Sequence, residues 1–140
     1  MRWKLAAVTI LVLAIPFSAH AQDWGRFGVS GGFQFDDSAF IAQARLQLYL
    51  DRNLAVVPAV GYEFENDDVV IDIDGHYTVW PSKTVDVYGL GGMNYGDGDL
   101  GLNLGVGAEF ATSSRLRLFS ELKYVAFGWK GVALTVGVYF

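Results

Sequence analysis

The chain has 140 residues, of which 10 are Lys or Arg and 15 are Asp or Glu, with a formal net charge of −5 and no cysteine. The acidic balance argues against a nucleic-acid partner, because phosphate binding requires clustered Lys and Arg. The lack of cysteine excludes a disulfide framework and thiolate chemistry. The length fits one domain, and 17 glycines with 15% aromatic residues favour a β-barrel over a helical bundle.

The amino terminus predicts a cleaved export signal over residues 1–21. Arg2 and Lys4 form a basic start, an apolar run follows, and Ala-His-Ala at 19–21 is an A-x-A cleavage site. The apolar run is shorter than the roughly 20 residues that a transmembrane helix needs. The alternative is an uncleaved anchor. We take residues 22–140 as the mature domain.

From residue 24 onward, apolar residues alternate with polar or small residues in eight successive segments. A period of two predicts β-strands with one apolar face. The breaks between the segments are rich in Asp, Asn, Ser and Gly, which are typical turn residues. In chain order the predicted strands are 24–35, 39–50, 54–64, 69–80, 85–95, 100–111, 115–126 and 131–140.

Two of these segments are irregular. Pro58 lies within the third strand and lacks an N–H, so we expect a bulge or a locally missing ladder bond there. The fifth strand is rich in glycine, which weakens its alternation. There the pattern favours Val85, Val87 and Met93 on the apolar face, with Asp86, Tyr88 and Asn94 on the other.

The eight strands predict an all-β fold, an eight-stranded antiparallel up-and-down transmembrane β-barrel. About ten residues cross a bilayer at a tilt, and closure pairs every backbone group in hydrocarbon. Aromatic residues are predicted near both rims: Trp24, Tyr49 and Trp80 at one, Phe64, Tyr95, Phe127 and Trp129 at the other. The rival fold is a soluble exported barrel with inverted faces, binding a small apolar ligand inside.

Several segments resemble the small eight-stranded outer-membrane barrel family of OmpX-like and opacity-like proteins. They are 89–95 (GLGGMNY), 102–110 (LNLGVGAEF) and 116–124 (LRLFSELKY), and the likeness covers roughly 24–140. The last strand ends on Phe140, as in outer-membrane barrels whose terminal strand closes the barrel and is read by the assembly machinery.

The resemblance implies an integral protein of the outer membrane in a Gram-negative envelope. The implied role is structural or one of surface interaction, in envelope integrity and adhesion. Outer-membrane lipid, lipopolysaccharide and the assembly machinery are the expected partners of a monomer. The loops here are only a few residues long, unlike those of adhesive members.

Asp72, Asp74 and His76 share one face of the predicted fourth strand. Carboxylates and imidazole could hold a divalent cation if neighbouring strands supplied further ligands. The alternative is a luminal ion-pair network, because buried charges must be paired. We favour the network and assign no catalytic, cofactor or metal residue. The other charged residues predicted inside are Arg45, Glu63, Asp86, Glu109, Arg117, Glu121 and Lys123.

Acidic residues concentrate in the connections after the odd-numbered strands. One hypothesis is that they contact lipopolysaccharide through divalent cations or set the surface charge. The alternative is that they are ordinary solvated loop residues. These residues are Asp36, Asp37, Glu65, Asp67, Asp68, Asp97 and Asp99.

Two further functions are open alternatives. A narrow channel would give discrete conductance steps, although side chains fill the interior of an eight-stranded barrel. A lipid A-modifying enzyme needs a nucleophile and a base, and His76 is the only histidine after the leader. Activity lost on His76→Ala would be its minimum requirement. Because His76 is predicted inside, away from lipid, we expect no enzymatic activity.

Overall fold

The computed structural model describes residues 25–127 and 130–140. The predicted leader 1–21, Trp24 and Trp129 lie outside these residues. In the described ranges no helix is long and apolar enough to cross a membrane. The strands are β1 Gly25–Gln34, β2 Ala39–Tyr49, β3 Leu54–Glu63, β4 Asp68–Trp80, β5 Val85–Gly96, β6 Asp99–Ala111, β7 Arg117–Ala126 and β8 Gly131–Tyr139.

The strands form one closed barrel in sequence order, with every neighbouring pair antiparallel. The predicted fold class is therefore confirmed. β8 closes the barrel against β1 from Gly28↔Tyr139 to Gln34↔Ala133. Beyond β8 the Phe140 N–H donates to the Phe27 carbonyl at 2.8 Å, and the two rings stack at 6.3 Å. The aromatic end of the chain thus contributes to the closing seam.

The predicted faces are confirmed, including those of the glycine-rich fifth strand. Met93 points outward and is 50% exposed, whereas Tyr88 is only 2% exposed inside the barrel. The outer surface carries Leu, Ile, Val and aromatic side chains, and the interior carries charged and amide groups. The rival fold with inverted faces is wrong, because the apolar set faces outward and the charged and amide side chains face the interior.

The proline in β3 interrupts one ladder. The pairing of β2 with β3 lapses where Leu46 faces Pro58 and Gln47 faces Val57, then resumes in the same register. The missing ladder bond is thus confirmed at Pro58, where the missing N–H removes a donor. A register shift between Thr78 and Trp80 lies elsewhere, in the β4–β5 ladder.

Short connections form two rims. The terminal rim comprises turns 50–53, 81–84 and 112–116 together with Gly25 and Phe140. The acidic rim comprises the connections at 35–38, 64–67 and 97–98, together with Phe127 and Lys130. Exposed aromatic residues lie near both rims as predicted: Tyr49 and Trp80 at the terminal rim, Phe64, Tyr95 and Phe127 at the acidic rim. This arrangement matches the interfacial girdles of membrane barrels.

The outward apolar face predicts a strong depth dependence for charged substitutions. Leu104 lies mid-way along β6 and is 70% exposed, whereas Leu100 lies near the acidic rim. We expect Leu104→Arg to lower the free energy of unfolding by about 2–4 kcal/mol and Leu100→Arg by about 0–1 kcal/mol. Urea titration in lipid vesicles would measure both. Equal effects at the two positions would contradict a membrane-spanning barrel.

Candidate functional site in the barrel lumen

The middle of the lumen is occupied by a buried ion pair. Arg45 from β2 and Glu121 from β7 meet across the barrel, with Nη1–Oε1 at 2.7 Å and side-chain exposures of 4% and 1%. The Tyr88 hydroxyl donates to the same Glu121 oxygen at 2.8 Å. The His76 ring stacks on Tyr88 at 4.5 Å, and its Nε2 lies 3.7 Å from Glu121 Oε1. One carboxylate therefore organises groups from three other strands.

A second cluster forms around Lys123, two residues along β7. Its ammonium lies 3.2 Å from Asp72 Oδ1 and 3.3 Å from Asp74 Oδ2. The Asn103 amide donates to Asp72 at 2.9 Å and to Asp74 at 2.7 Å. Asn94 in turn donates to the Asn103 carbonyl oxygen at 2.6 Å. These bonds compensate both carboxylates in the interior.

Gln43 joins the two clusters. Its amide donates to Asp72 Oδ2 at 2.6 Å, and its carbonyl oxygen accepts from Arg45 Nη2 at 3.1 Å. The Arg45 guanidinium also lies over the Phe119 ring at 4.5 Å. We call the linked groups the central network. It is the structural ion-pair network that the sequence predicts, and it links side chains of β2, β4, β5, β6 and β7 across the lumen.

The structure brings Asp72 and Asp74 together but directs His76 elsewhere. Both carboxylates face Lys123, while the imidazole lies beside Glu121 and Tyr88. In the described part of the chain, no three or more His, Cys, Asp or Glu side chains converge as a metal site would require. The geometry of these residues is that of charge compensation.

The sequence pattern did not identify the amides and aromatic rings of the central network as site residues. The alternation placed Asn94 and Asn103 inward, but an inward amide has no unique partner in sequence. Phe119 and Tyr139 pack with ring centroids 4.6 Å apart beneath Arg45. Inward aromatic residues in a polar face were the available signal for this packing.

The mouth at the terminal rim holds a cavity of about 450 Å³, which we call the vestibule. Arg117 donates to Asp86 at 2.6 Å and lies 3.2 Å from Glu109 at its wall. Gln47 donates to Glu109 and accepts from the Tyr49 hydroxyl. The lining residues are Arg26, Gln47, Tyr49, Asp51, Arg52, Asn53, Leu54, Ala55, His76, Thr78, Asp86, Tyr88, Glu109 and Arg117.

The predicted acidic loop residues all lie at or beside the acidic rim. Several of their carboxylates organise the connections: Glu65 accepts from the Phe40 N–H at 2.7 Å, and Asp36 accepts from the Val132 N–H at 2.8 Å. Asp68 accepts from the Asp97 N–H in the same way. The short loops are therefore held by their own acidic side chains.

Comparison with solved structures shows the same architecture. A de novo designed transmembrane β-barrel matches with a TM-score of 0.73 and 17% identity over 84% of this chain and 93% of its own. The N-terminal β-barrel domain of Pseudomonas aeruginosa OprF matches with a TM-score of 0.69 and 15% identity over 83% and 96%. No protein-family model and no curated protein sequence matches the chain.

The outer membrane protein Ail of Yersinia pestis, determined in a phospholipid bilayer nanodisc, matches with a TM-score of 0.52 and 15% identity over 83% of this chain and 98% of its own. The chain has the fold of the small eight-stranded transmembrane β-barrels. The predicted likeness to that group is confirmed for the fold. The predicted outer-membrane location agrees with this fold and with the apolar outer belt.

Proposed function

We propose that the mature chain is an integral outer-membrane protein with a structural role, whose lumen is closed. The observation that carries this proposal is the central network inside an apolar belt. Arg45, Glu121 and Lys123 link the strands across the lumen through direct ion pairs and hydrogen bonds. Such a barrel would act as a rigid structural component of the outer membrane and not as a channel for solutes.

The acidic rim supports a second part of the proposal, a surface-interaction role. Short acidic connections present carboxylates around one rim, among them Asp37 and Asp99. Divalent cations could bridge these carboxylates to lipopolysaccharide phosphates, because hard cations prefer oxygen ligands. We further propose that the strand ending in Phe140 is read by the assembly machinery and that the protein is a monomer.

A gel-mobility assay on fractionated envelopes tests the location and closure. We expect the unboiled protein to migrate differently from the boiled protein and to be recovered with the outer membrane, because a closed ladder must break all at once. Recovery in the soluble periplasmic fraction would contradict an integral barrel.

Conductance in planar bilayers separates the structural role from a narrow channel, the alternative favoured by the vestibule. We expect no discrete steps for the purified barrel, since the central network closes the lumen below the vestibule. Steps that recur with every preparation would favour the channel. We propose no enzymatic activity, because His76 is 3% exposed inside the barrel and away from lipid.

A further inference from the structure

The vestibule is a blind cup. It opens at the terminal rim, and His76 and Tyr88 lie at its inner end. There the Tyr88 hydroxyl donates a hydrogen bond to Glu121 of the central network. Its volume of about 450 Å³ lies within the range of small-molecule sites. A molecule that enters from this rim therefore reaches a closed end.

The carboxylates of the vestibule already have partners. Asp86 accepts from Arg117 at 2.6 Å and from the Ser82 N–H at 3.0 Å. Glu109 lies 3.2 Å from Arg117 and accepts from Gln47. Asp51 accepts from the N–H of the next residue at 2.6 Å. The acidic side chains of the cup thus all have hydrogen-bond donors, and Asp86 and Glu109 share the Arg117 guanidinium.

Not all hydrogen-bond donors that line the cup have a partner. Arg26 Nη1 is buried and makes no hydrogen bond with any described residue. Both ring nitrogens of His76 are buried in the same way, and this side chain is only 3% exposed. The Arg52 guanidinium also lines the cup, but Arg52 is exposed in its turn. A buried donor without a hydrogen-bond partner is costly, so the cup has a position for a hydrogen-bond acceptor beside the half-buried Arg26.

The shape and charge of that position select the ligand. A guanidinium forms two parallel hydrogen bonds to a carboxylate. A dianionic phosphate is disfavoured, because Asp86 and Glu109 line the same cavity and would repel the second charge. The Tyr49 ring, which is 38% exposed, offers a flat surface for the rest of the molecule. We propose that the vestibule binds a small organic monocarboxylate, held by Arg26 with its body against this ring.

Benzoate is the probe for this site, with benzamide as its uncharged counterpart. Titration of the ¹⁵N-labelled barrel in a neutral detergent would follow the amide signals of vestibule residues. We expect benzoate to shift them with a dissociation constant in the mM range, about −4 kcal/mol, and benzamide and phenyl phosphate to bind more weakly. Equal shifts with benzamide, or none with benzoate at about 20 mM, would overturn the proposal.

Two Arg variants locate the carboxylate. We expect Arg26→Gln to weaken benzoate binding about tenfold and Arg26→Lys to weaken it less, because Lys keeps the charge but loses the fork. Arg115→Gln is the control, since Arg115 is exposed on the same rim and does not line the vestibule. Heat-dependent gel mobility checks that each variant is folded. Unchanged affinity in folded Arg26→Gln, or equal loss in Arg115→Gln, would overturn the assignment. Arg26→Lys carries the test if Arg26→Gln does not fold.

Discussion

Replacement of Arg45 by Met is expected to lower the free energy of unfolding by about 3–5 kcal/mol. The substitution leaves the Glu121 carboxylate, with 1% side-chain exposure, without its guanidinium partner at 2.7 Å. It also removes the contact of the guanidinium with the Phe119 ring. Equilibrium urea titration of the barrel in lipid vesicles, followed by tryptophan fluorescence, would measure the loss.

Two further variants distinguish an unpaired charge from lost packing. In Arg45→Met/Glu121→Gln the carboxylate is removed while the Gln carbonyl oxygen still accepts from Tyr88, so we expect most of the stability to return. Arg117→Met breaks a pair with Asp86, whose side chains are 18% and 23% exposed, and a contact with Glu109, which keeps its hydrogen bond from Gln47. We therefore expect a smaller loss than for Arg45→Met. A double variant as unstable as Arg45→Met would show that packing, and not charge, dominates.

Gly92→Ala is expected to destabilise the barrel by about 3 kcal/mol, the upper part of the range for overpacking. A Cβ atom on Gly92 would overlap the Ile73 carbonyl oxygen and Oδ1 of Asp74. The first clash would disturb the β4–β5 ladder, where Asp74 faces Gly92. The second would push Asp74 away from Lys123. Urea titration and gel mobility would report the loss.

The adjacent Gly91 provides a matched control. It points outward, and the nearest atom to its added Cβ would be the Asn103 carbonyl oxygen at 3.8 Å, an ordinary contact. We expect Gly91→Ala to leave stability unchanged or to raise it by up to about 1 kcal/mol, because Gly loses more backbone entropy on folding than Ala. If the two substitutions had the same effect, the close approach at Gly92 would not be the cause.

The sequence by itself determined the strands, their faces and their closure into a barrel. Outward Met93 and inward Tyr88 follow from a period of two, which holds even where glycine weakens the pattern. The same alternation placed Arg45, Glu121 and Lys123 inside. These conclusions succeeded because the direction of a side chain in a strand depends only on its own backbone.

Only the tertiary structure decided which inward groups meet. Asp72, Asp74 and His76 occupy equivalent inward positions in the sequence pattern. In the structure Lys123 pairs with the two carboxylates, and Glu121 lies beside the imidazole. Arg45 and Glu121 are separated by 76 residues. Their contact depends on how far each strand is staggered relative to its neighbours around the closed barrel. This stagger, the shear of the barrel, is a property of the whole sheet. The face on which a side chain lies is a local property of its strand, so it could be predicted from the sequence. The partner that a side chain meets across the lumen depends on the whole barrel, so it required the tertiary structure.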